Sequence, residues 1–201
     1  IRIVVQDRGA AYPVTIDPLI SLEQKVLAMG GAANDKFGVA VAISGNTALV
    51  GANKAEGAYI FVRSNGMWIQ QAELTASDGA GGDNFGYSVA LDGDTALVGA
   101  PLDNIGANTN QGSAYVFVKP GGGWATGTET AKLTASDGAA DDWFGVSVAL
   151  DGDTALVGAH YDDIGANSNQ GSAYVFVKSG GIWSLAAKLT AADGAGGTPL
   201  A

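Results

Sequence analysis

Hydrophobic and polar positions alternate along this chain in short bursts that recur. In Gly86–Leu91 (GYSVAL), Tyr87, Val89 and Leu91 alternate with Ser88 and Ala90, the two-residue period of a half-buried strand. Asp92-Gly93-Asp94 follows as a tight turn, in which glycine takes positive φ without steric penalty. Thr95–Val98 is a short apolar strand closed by Gly99-Ala100-Pro101, and Ser113–Lys119 is a third strand rich in Tyr, Val and Phe. A Gly-rich turn at Pro120–Gly123 leads through Trp124 to a fourth strand near Glu129–Thr134. No segment shows a sustained 3.6-residue period. The one helical temptation is Leu19–Met29, but register with later copies sets Val26-Leu27-Ala28 opposite Leu74-Thr75-Ala76 and predicts a strand end there.

The burst is written three times. LDGDTALVGA occupies Leu91–Ala100 and Leu150–Ala159, and a worn copy, ISGNTALVGA, occupies Ile43–Ala52. Each follows a Phe-Gly pair (Phe37-Gly38, Phe85-Gly86, Phe144-Gly145) and precedes an aromatic strand at Ala58–Val62, Ala114–Val118 or Ala173–Val177. Phe37 to Phe85 spans 48 positions and Phe85 to Phe144 spans 59, the length of a propeller blade. The predicted fold is therefore all-β: consecutive four-stranded antiparallel β-propeller blades, a partial propeller of about three, behind an N-terminal β-hairpin. The organisation read from the copies is a leader over residues 1–25, blades over 26–73, 74–132 and 133–188, and the start of a further blade at 189–201. The hairpin reading rests on alternation at Ile1, Ile3 and Val5, a turn at Asp7-Arg8-Gly9, and alternation at Tyr12, Val14 and Ile16. Gly and Ala at Gly38/Ala40, Gly86/Ala90 and Gly145/Ala149 let backbones approach closely. Trp68, Trp124 and Trp183 recur just before the fourth strand, where packing is the expected role.

Composition narrows the function classes. Hydrophobic residues make up 47%, enough for a core despite 31 glycines. The net charge is −10, and no cationic stripe exists to meet nucleic-acid phosphates or an anionic membrane. No apolar run approaches the roughly 20 residues of a spanning helix, so membrane insertion is not expected. With no Cys, disulfides, thiolate metal sites and thiol nucleophiles are excluded. The chain opens on Ile1 without a signal-peptide pattern, and its last residues enter a fresh copy, so it reads as processed or partial.

The Phe-Gly opening and Gly-Ala-Pro ending, clearest in Phe85-Gly86 … Gly99-Ala100-Pro101, resemble the FG-GAP repeat over about Leu27–Ala201. The proline is replaced by His160 in the third copy and Asn53 in the first. The resemblance implies a β-propeller like that of integrin α subunits and of many bacterial surface proteins. Many integrin-type repeats hold calcium in a DxDxDG loop between the first two strands. Here that place holds only Asp92-Gly93-Asp94, Asp151-Gly152-Asp153 and Ser44-Gly45-Asn46, too short to wrap a Ca²⁺ with six or more oxygens.

A second oxygen-rich loop lies between strands two and three: Leu102–Gly112 (LDNIGANTNQG) and Tyr161–Gly171 (YDDIGANSNQG). Asp103, Asn104, Asn108 and Asn110 in one, and Asp162, Asp163, Asn167 and Asn169 in the other, are the candidate metal ligands, with calcium the cation such hard oxygens suit. The competing reading is that Asn, Asp and Gly build turns by bonding their own backbone. His160 is the single histidine and has no second His or Cys to share a metal. No nucleophile elbow and no phosphate-binding loop occurs. Asp137, Asp141 and Asp142 beside Trp143 form an acidic cluster that would suit sugar binding or hydrolysis, against a solvated inter-blade loop.

The leading expectation is a non-enzymatic extracellular scaffold or adhesion module of a bacterial surface protein, with a protein or glycan ligand. One rival is a structural protomer of a surface filament or sheath, self-associating through open blade edges. Another is an accessory propeller domain of a larger enzyme. Three blades do not close a ring, since propellers need four to eight.

Overall fold

The computed structural model describes residues 23–192. They form twelve strands and no helix, so no helix among them is long and apolar enough to cross a membrane. The predicted leader hairpin over residues 1–20 and the further blade beyond residue 192 lie outside the described residues.

The strands make three sheets, each an antiparallel meander of four. Blade 1 holds β1 (Val41–Ser44), β2 (Thr47–Ala52), β3 (Gly57–Ser64) and β4 (Met67–Leu74). Blade 2 holds β5 (Ser88–Asp92), β6 (Thr95–Ala100), β7 (Ser113–Val118) and β8 (Ala131–Leu133). Blade 3 holds β9 (Ser147–Asp151), β10 (Thr154–Ala159), β11 (Ser172–Ser179) and β12 (Ile182–Leu189). The first two strands of each blade are joined by a two-residue turn whose glycine takes positive φ: +55° at Gly45, +52° at Gly93 and +53° at Gly152. Bulges in the outer pairing fall at Ile60/Phe61 and Val175/Phe176. The architecture is that of a partial, unclosed propeller.

Side-chain alternation assigns one face of each blade to the blade before it and the other to the blade after it. Leu49, Ile60 and Leu74 leave blade 1 and bury themselves against Phe85, Val98, Tyr115 and Phe117 of blade 2. Leu97, Val116 and Leu133 leave blade 2 and meet Phe144, Val157, Tyr174 and Phe176 of blade 3. The hydrophobic effect thus acts between sheets. A third, smaller cluster forms on blade 1 alone, where Val50, Ala52, Tyr59 and Phe61 are buried under Val26, Ala28 and Phe37.

Each Phe of a Phe-Gly pair packs on the two aromatics of its own third strand, and Phe85 and Phe144 lie edge-on to both. Phe85 is 5.4 Å from Tyr115 and 6.0 Å from Phe117, and Phe144 is 5.3 Å from Tyr174 and 6.1 Å from Phe176. The Gly that follows passes against the Gly-Ala of the preceding blade. A Cβ on Gly51 would stand 2.0 Å from the Gly86 carbonyl oxygen, and one on Gly99 would stand 2.0 Å from that of Gly145. The small residues of the motif are therefore a contact requirement at the junction.

Two expectations change. Trp68 and Trp183 lie inside the fourth strands β4 and β12 rather than just before them, and only Trp124 precedes its own. The strand end expected before blade 1 is also absent: Val26-Leu27-Ala28 forms no strand. The segment is held alongside β4 by side chains, the Gln24 carboxamide bonding both the N–H and the carbonyl of Trp68 at 2.7 Å. Met29 N donates to Gln70 Oε1 at 2.7 Å, matching Ser77 N to Glu129 Oε2 at 3.0 Å one junction later. The predicted alignment with Leu74-Thr75-Ala76 is thus met by position rather than by a ladder.

Candidate functional site

The polar residues gather at the blade junctions, where the loop after each second strand meets the turn that opens the next blade. The second junction is built from backbone. The carbonyls of Thr109, Asn110 and Gln111 accept the amides of Asp141, Trp143 and Phe144 at 2.9, 3.2 and 2.9 Å. The loop that offers these carbonyls holds its own shape: Asn110 sits at φ +52°, and its N–H donates to Asn104 Oδ1 at 2.9 Å. Asn108 Nδ2 donates to Gln111 Oε1 and to the Gly138 carbonyl, and Asn110 Nδ2 donates to Asp141 Oδ1 at 2.7 Å. In the third unit Asn169 N donates to Asp163 Oδ1 at 2.7 Å and Asn167 Nδ2 to Gln170 Oε1 at 2.9 Å.

Asp103 and Asp162 point elsewhere, into their blades. Asp103 Oδ2 accepts from Ser113 Oγ at 2.6 Å, from the Tyr115 hydroxyl at 2.9 Å and from Lys132 Nζ at 2.7 Å. Lys132 also reaches Asp78 Oδ2 at 2.6 Å, and the Tyr115 hydroxyl reaches Asp78 Oδ1 at 3.0 Å. The third unit repeats the arrangement: Asp162 accepts from Ser172, Tyr174 and Lys188, while Lys188 and Tyr174 also bond Asp137. Burial opposes charge on the Lys132 ammonium, but its bonds to Asp103 and Asp78 outweigh burial and raise its pKa. Asp78 is held below the usual carboxylate range, the Lys132 and Tyr115 bonds outweighing burial. Burial pushes the Tyr174 hydroxyl up to about 12, and the Tyr115 hydroxyl further.

The eight candidate ligands are therefore brought into two loops, but within each loop their groups diverge. One buried aspartate per loop faces a half-buried ammonium, and Asn104 and Asp163 each give an oxygen to a turn amide. Among the described residues no group of three His, Cys, Asp or Glu is arranged to hold a metal ion. The acidic cluster of the third unit is likewise divided. Asp137 bonds Lys188, Asp141 bonds Asn110, and Asp142 is buried, accepting from Ala139 N at 2.6 Å. Burial, with the charges of Asp162 and Asp163, raises the Asp142 pKa. His160 packs on Tyr161, their rings tilted and 3.9 Å apart, and both lie T-shaped to Trp143, at 5.6 and 5.0 Å.

Sequence reasoning missed Glu56, Ser113, Tyr115 and Lys132. A signal was present: the first unit replaces Asp103, Ser113, Lys132 and Asp78 together, by Ala55, Gly57, Glu73 and Gly30. Residues lost as a set from one copy belong to one network in the others. Compared with protein families, residues 20–61, 68–117 and 128–176 match the family model described as the FG-GAP repeat. The second and third matched stretches run from the outer strand of one blade through the third strand of the next, so there the unit of sequence straddles two sheets. No curated protein matches the chain.

Proposed function

Since this chain belongs to the FG-GAP repeat family, we propose that it works as a non-enzymatic β-propeller scaffold, presenting its loops as an adhesion surface at the exterior of a bacterial cell. Two things support this reading. FG-GAP repeats are typically found in extracellular proteins. Between the second and third units, the shared polar residues Asp103/Asp162, Ser113/Ser172 and Lys132/Lys188 are taken up in internal networks, while Asn104/Asp163, Thr109/Ser168 and Pro101/His160 differ in the loops.

The observation that carries the proposal is the third unit's aromatic group. Trp143 takes φ +57°, a region bulky side chains avoid, at the position of Asn84 in blade 2 and Lys36 in blade 1. Its ring meets His160 and Tyr161, which stand where blade 2 has Pro101 and Leu102. A half-buried Trp143 flanked by the exposed His160 and Tyr161, with Asp141 and Asp163 near in sequence, suits a glycan or a polar protein surface. Labelling of intact cells with an impermeant reagent is expected to tag the protein. Beads coated with it are expected to adhere to a glycan or matrix-protein array, and Trp143→Asn to cut that retention several-fold with the melting temperature unchanged or raised. Failure to label intact cells, or retention indifferent to Trp143→Asn, would remove the reading.

A further inference from the structure

The sequence TALVGA is identical in β6 and β10, yet its two copies are buried differently. Leu97 is fully buried while Leu156 is 38% exposed, and at the outer strand Leu133 is 3% exposed while Leu189 is 49% exposed. Blade 3 covers Leu97 and Leu133. Among the described residues no blade covers Leu156 and Leu189.

The polar half of the junction is also ready on blade 3. Asn169 takes φ +53°, as Asn110 takes +52°, and Gln170 Nε2 bonds the Ala191 carbonyl as Gln111 Nε2 bonds that of Ala135. Among the described residues no amide meets the carbonyls of Ser168, Asn169 and Gln170, whose counterparts seat Asp141, Trp143 and Phe144. A groove of about 420 Å³ lies between His160, Gly171 and Leu189. At the second junction the corresponding place is filled by Phe144-Gly145. The glycine slot is open too. A Cβ on Gly158 would meet only Ser147 Oγ within 3 Å, whereas one on Gly99 would strike the Gly145 carbonyl.

The matching plug stands at the other end of the same chain. Asn34, Lys36 and Gly38 have φ of +72°, +56° and +90°. The seated turns have +110°, +59° and +88° at Gly82, Asn84 and Gly86, and +65°, +57° and +93° at Asp141, Trp143 and Gly145. Among the described residues no acceptor meets the amides of Asn34, Lys36 or Phe37. Val41 and Ile43 beside the plug are 70% and 65% exposed, while Leu91, the counterpart of Ile43, is 9% exposed.

We propose that the open face of blade 3 is a socket for the Asn34–Gly38 turn of a second copy of this chain, joined head to tail by the interface already used twice within it. The contact is heterologous, and two copies would supply six blades, within the four to eight that close a propeller. The segment ahead of the plug regulates this union. Gln24–Met29 fills, beside Trp68 and Gln70, the track that Leu74–Ser77 fills beside Gly127 and Glu129. A docking copy must bring its own Leu189–Ala191 to that track. The sequences compete on equal terms: Ser21-Leu22-x-x-Lys25-Val26 resembles Ser184-Leu185-x-x-Lys188-Leu189. The segment is a built-in competitor that holds the free chain apart until it leaves. This proposal is independent of the adhesive role, and either can fail while the other stands.

The test is sedimentation velocity on the full chain and on three variants, with folding checked by circular dichroism. Gln24→Ala/Val26→Ser weakens the competitor and is expected to strengthen association at least tenfold. Gln24→Ala alone, which removes only the two Trp68 bonds, moves the equilibrium less but in the same direction. Adding Leu156→Glu to the double variant is expected to restore the monomer. A copy with Leu156→Glu and a copy with Val41→Glu, both on the Gln24→Ala/Val26→Ser background, are each expected to be monomeric alone and to pair when mixed. A double variant that stays monomeric at all concentrations, association indifferent to Leu156→Glu, or failure of the mixed copies to pair would overturn the proposal.

Discussion

Phe85 is tied to Glu56 across the first blade junction, its amide donating to Glu56 Oε2 at 2.7 Å. The other carboxylate oxygen accepts from Gly82 N at 3.0 Å and Asn84 N at 3.2 Å. These are the counterparts of the amides that three backbone carbonyls receive at the second junction. One side chain on a short loop thus replaces a folded eleven-residue loop, Leu102–Gly112. Glu56→Ala leaves three amides without their acceptor and is expected to lower stability by about 2 kcal/mol. Glu56→Gln keeps an amide oxygen and is expected to lose less. Urea unfolding of both variants checks this, and equal stability of Glu56→Ala and the parent chain would show that water serves those amides as well.

Gly99 and Gly158 occupy the same place in identical strands, and their substitution should separate them. A Cβ at Gly99 lies 2.0 Å from a neighbouring blade's carbonyl oxygen and 2.3 Å from Ser88 Oγ. The carbonyl belongs to backbone that cannot turn aside, so Gly99→Ala is expected to cost about 3 kcal/mol. At Gly158 the close atom is Ser147 Oγ at 2.4 Å, the end of a side chain that can rotate. Gly158→Ala is expected to cost well under half as much. Thermal melts at low protein concentration decide the matter, and similar losses at both positions would mean that Ser88 and Ser147, not the blade junction, set the penalty.

The strands and their meander were legible because period-two alternation, Gly-centred turns and threefold repetition all point the same way. Blade stacking was legible in Phe-Gly and Gly-Ala, whose small size makes sense only if another backbone passes. The clasp was not legible. In LDNIGANTNQG the sequence shows oxygen-bearing side chains, but the groups that seat the next blade are the main-chain carbonyls of Thr109, Asn110 and Gln111, which any residue supplies. The strand expected at Val26–Ala28 failed because Gln24 holds that segment through its side chain, and side-chain brackets leave no periodicity. Lys132 and Asp103 lie far apart in sequence, and only the β6–β7–β8 meander brings them together.

The Lys132 and Lys188 networks set an alkaline limit. Both lysines have pKa values raised in the folded chain, burial being outweighed by their carboxylate bonds, and burial raises Tyr115 and Tyr174 as well. Above about pH 10 the unfolded chain releases protons that the folded chain retains, so the folded state binds more protons and stability falls as pH rises. Below that region their contribution is fully present. The melting temperature is therefore expected to hold from neutrality to about pH 9 and then to decline. Lys132→Met leaves the Asp103 carboxylate, 6% exposed, without its ammonium and is expected to cost about 3 kcal/mol at neutral pH. Its alkaline decline should be shallower than the parent's, and an unchanged slope would place the limit elsewhere.

Calcium gives the last test, and the same ammonium decides its direction. Ca²⁺ takes six to eight oxygens, so a site in Leu102–Gly112 needs Asp103, the loop's one carboxylate. Asp103 Oδ2 already meets Ser113, Tyr115 and Lys132, and Asn104 Oδ1 meets Asn110 N. A cation entering there would have to displace Lys132 from a site where burial makes an unpaired charge costly, and would break the turn that shapes the clasp. Tyr161–Gly171 offers a second carboxylate, Asp163, but Asp162 faces Lys188 and Asp163 Oδ1 meets Asn169 N. Millimolar Ca²⁺ is expected to leave the melting temperature unchanged and to give no heat in titration calorimetry. A rise of several degrees that Asp163→Asn removes would show that the third unit's loop, with its extra carboxylate, reorganises around the ion.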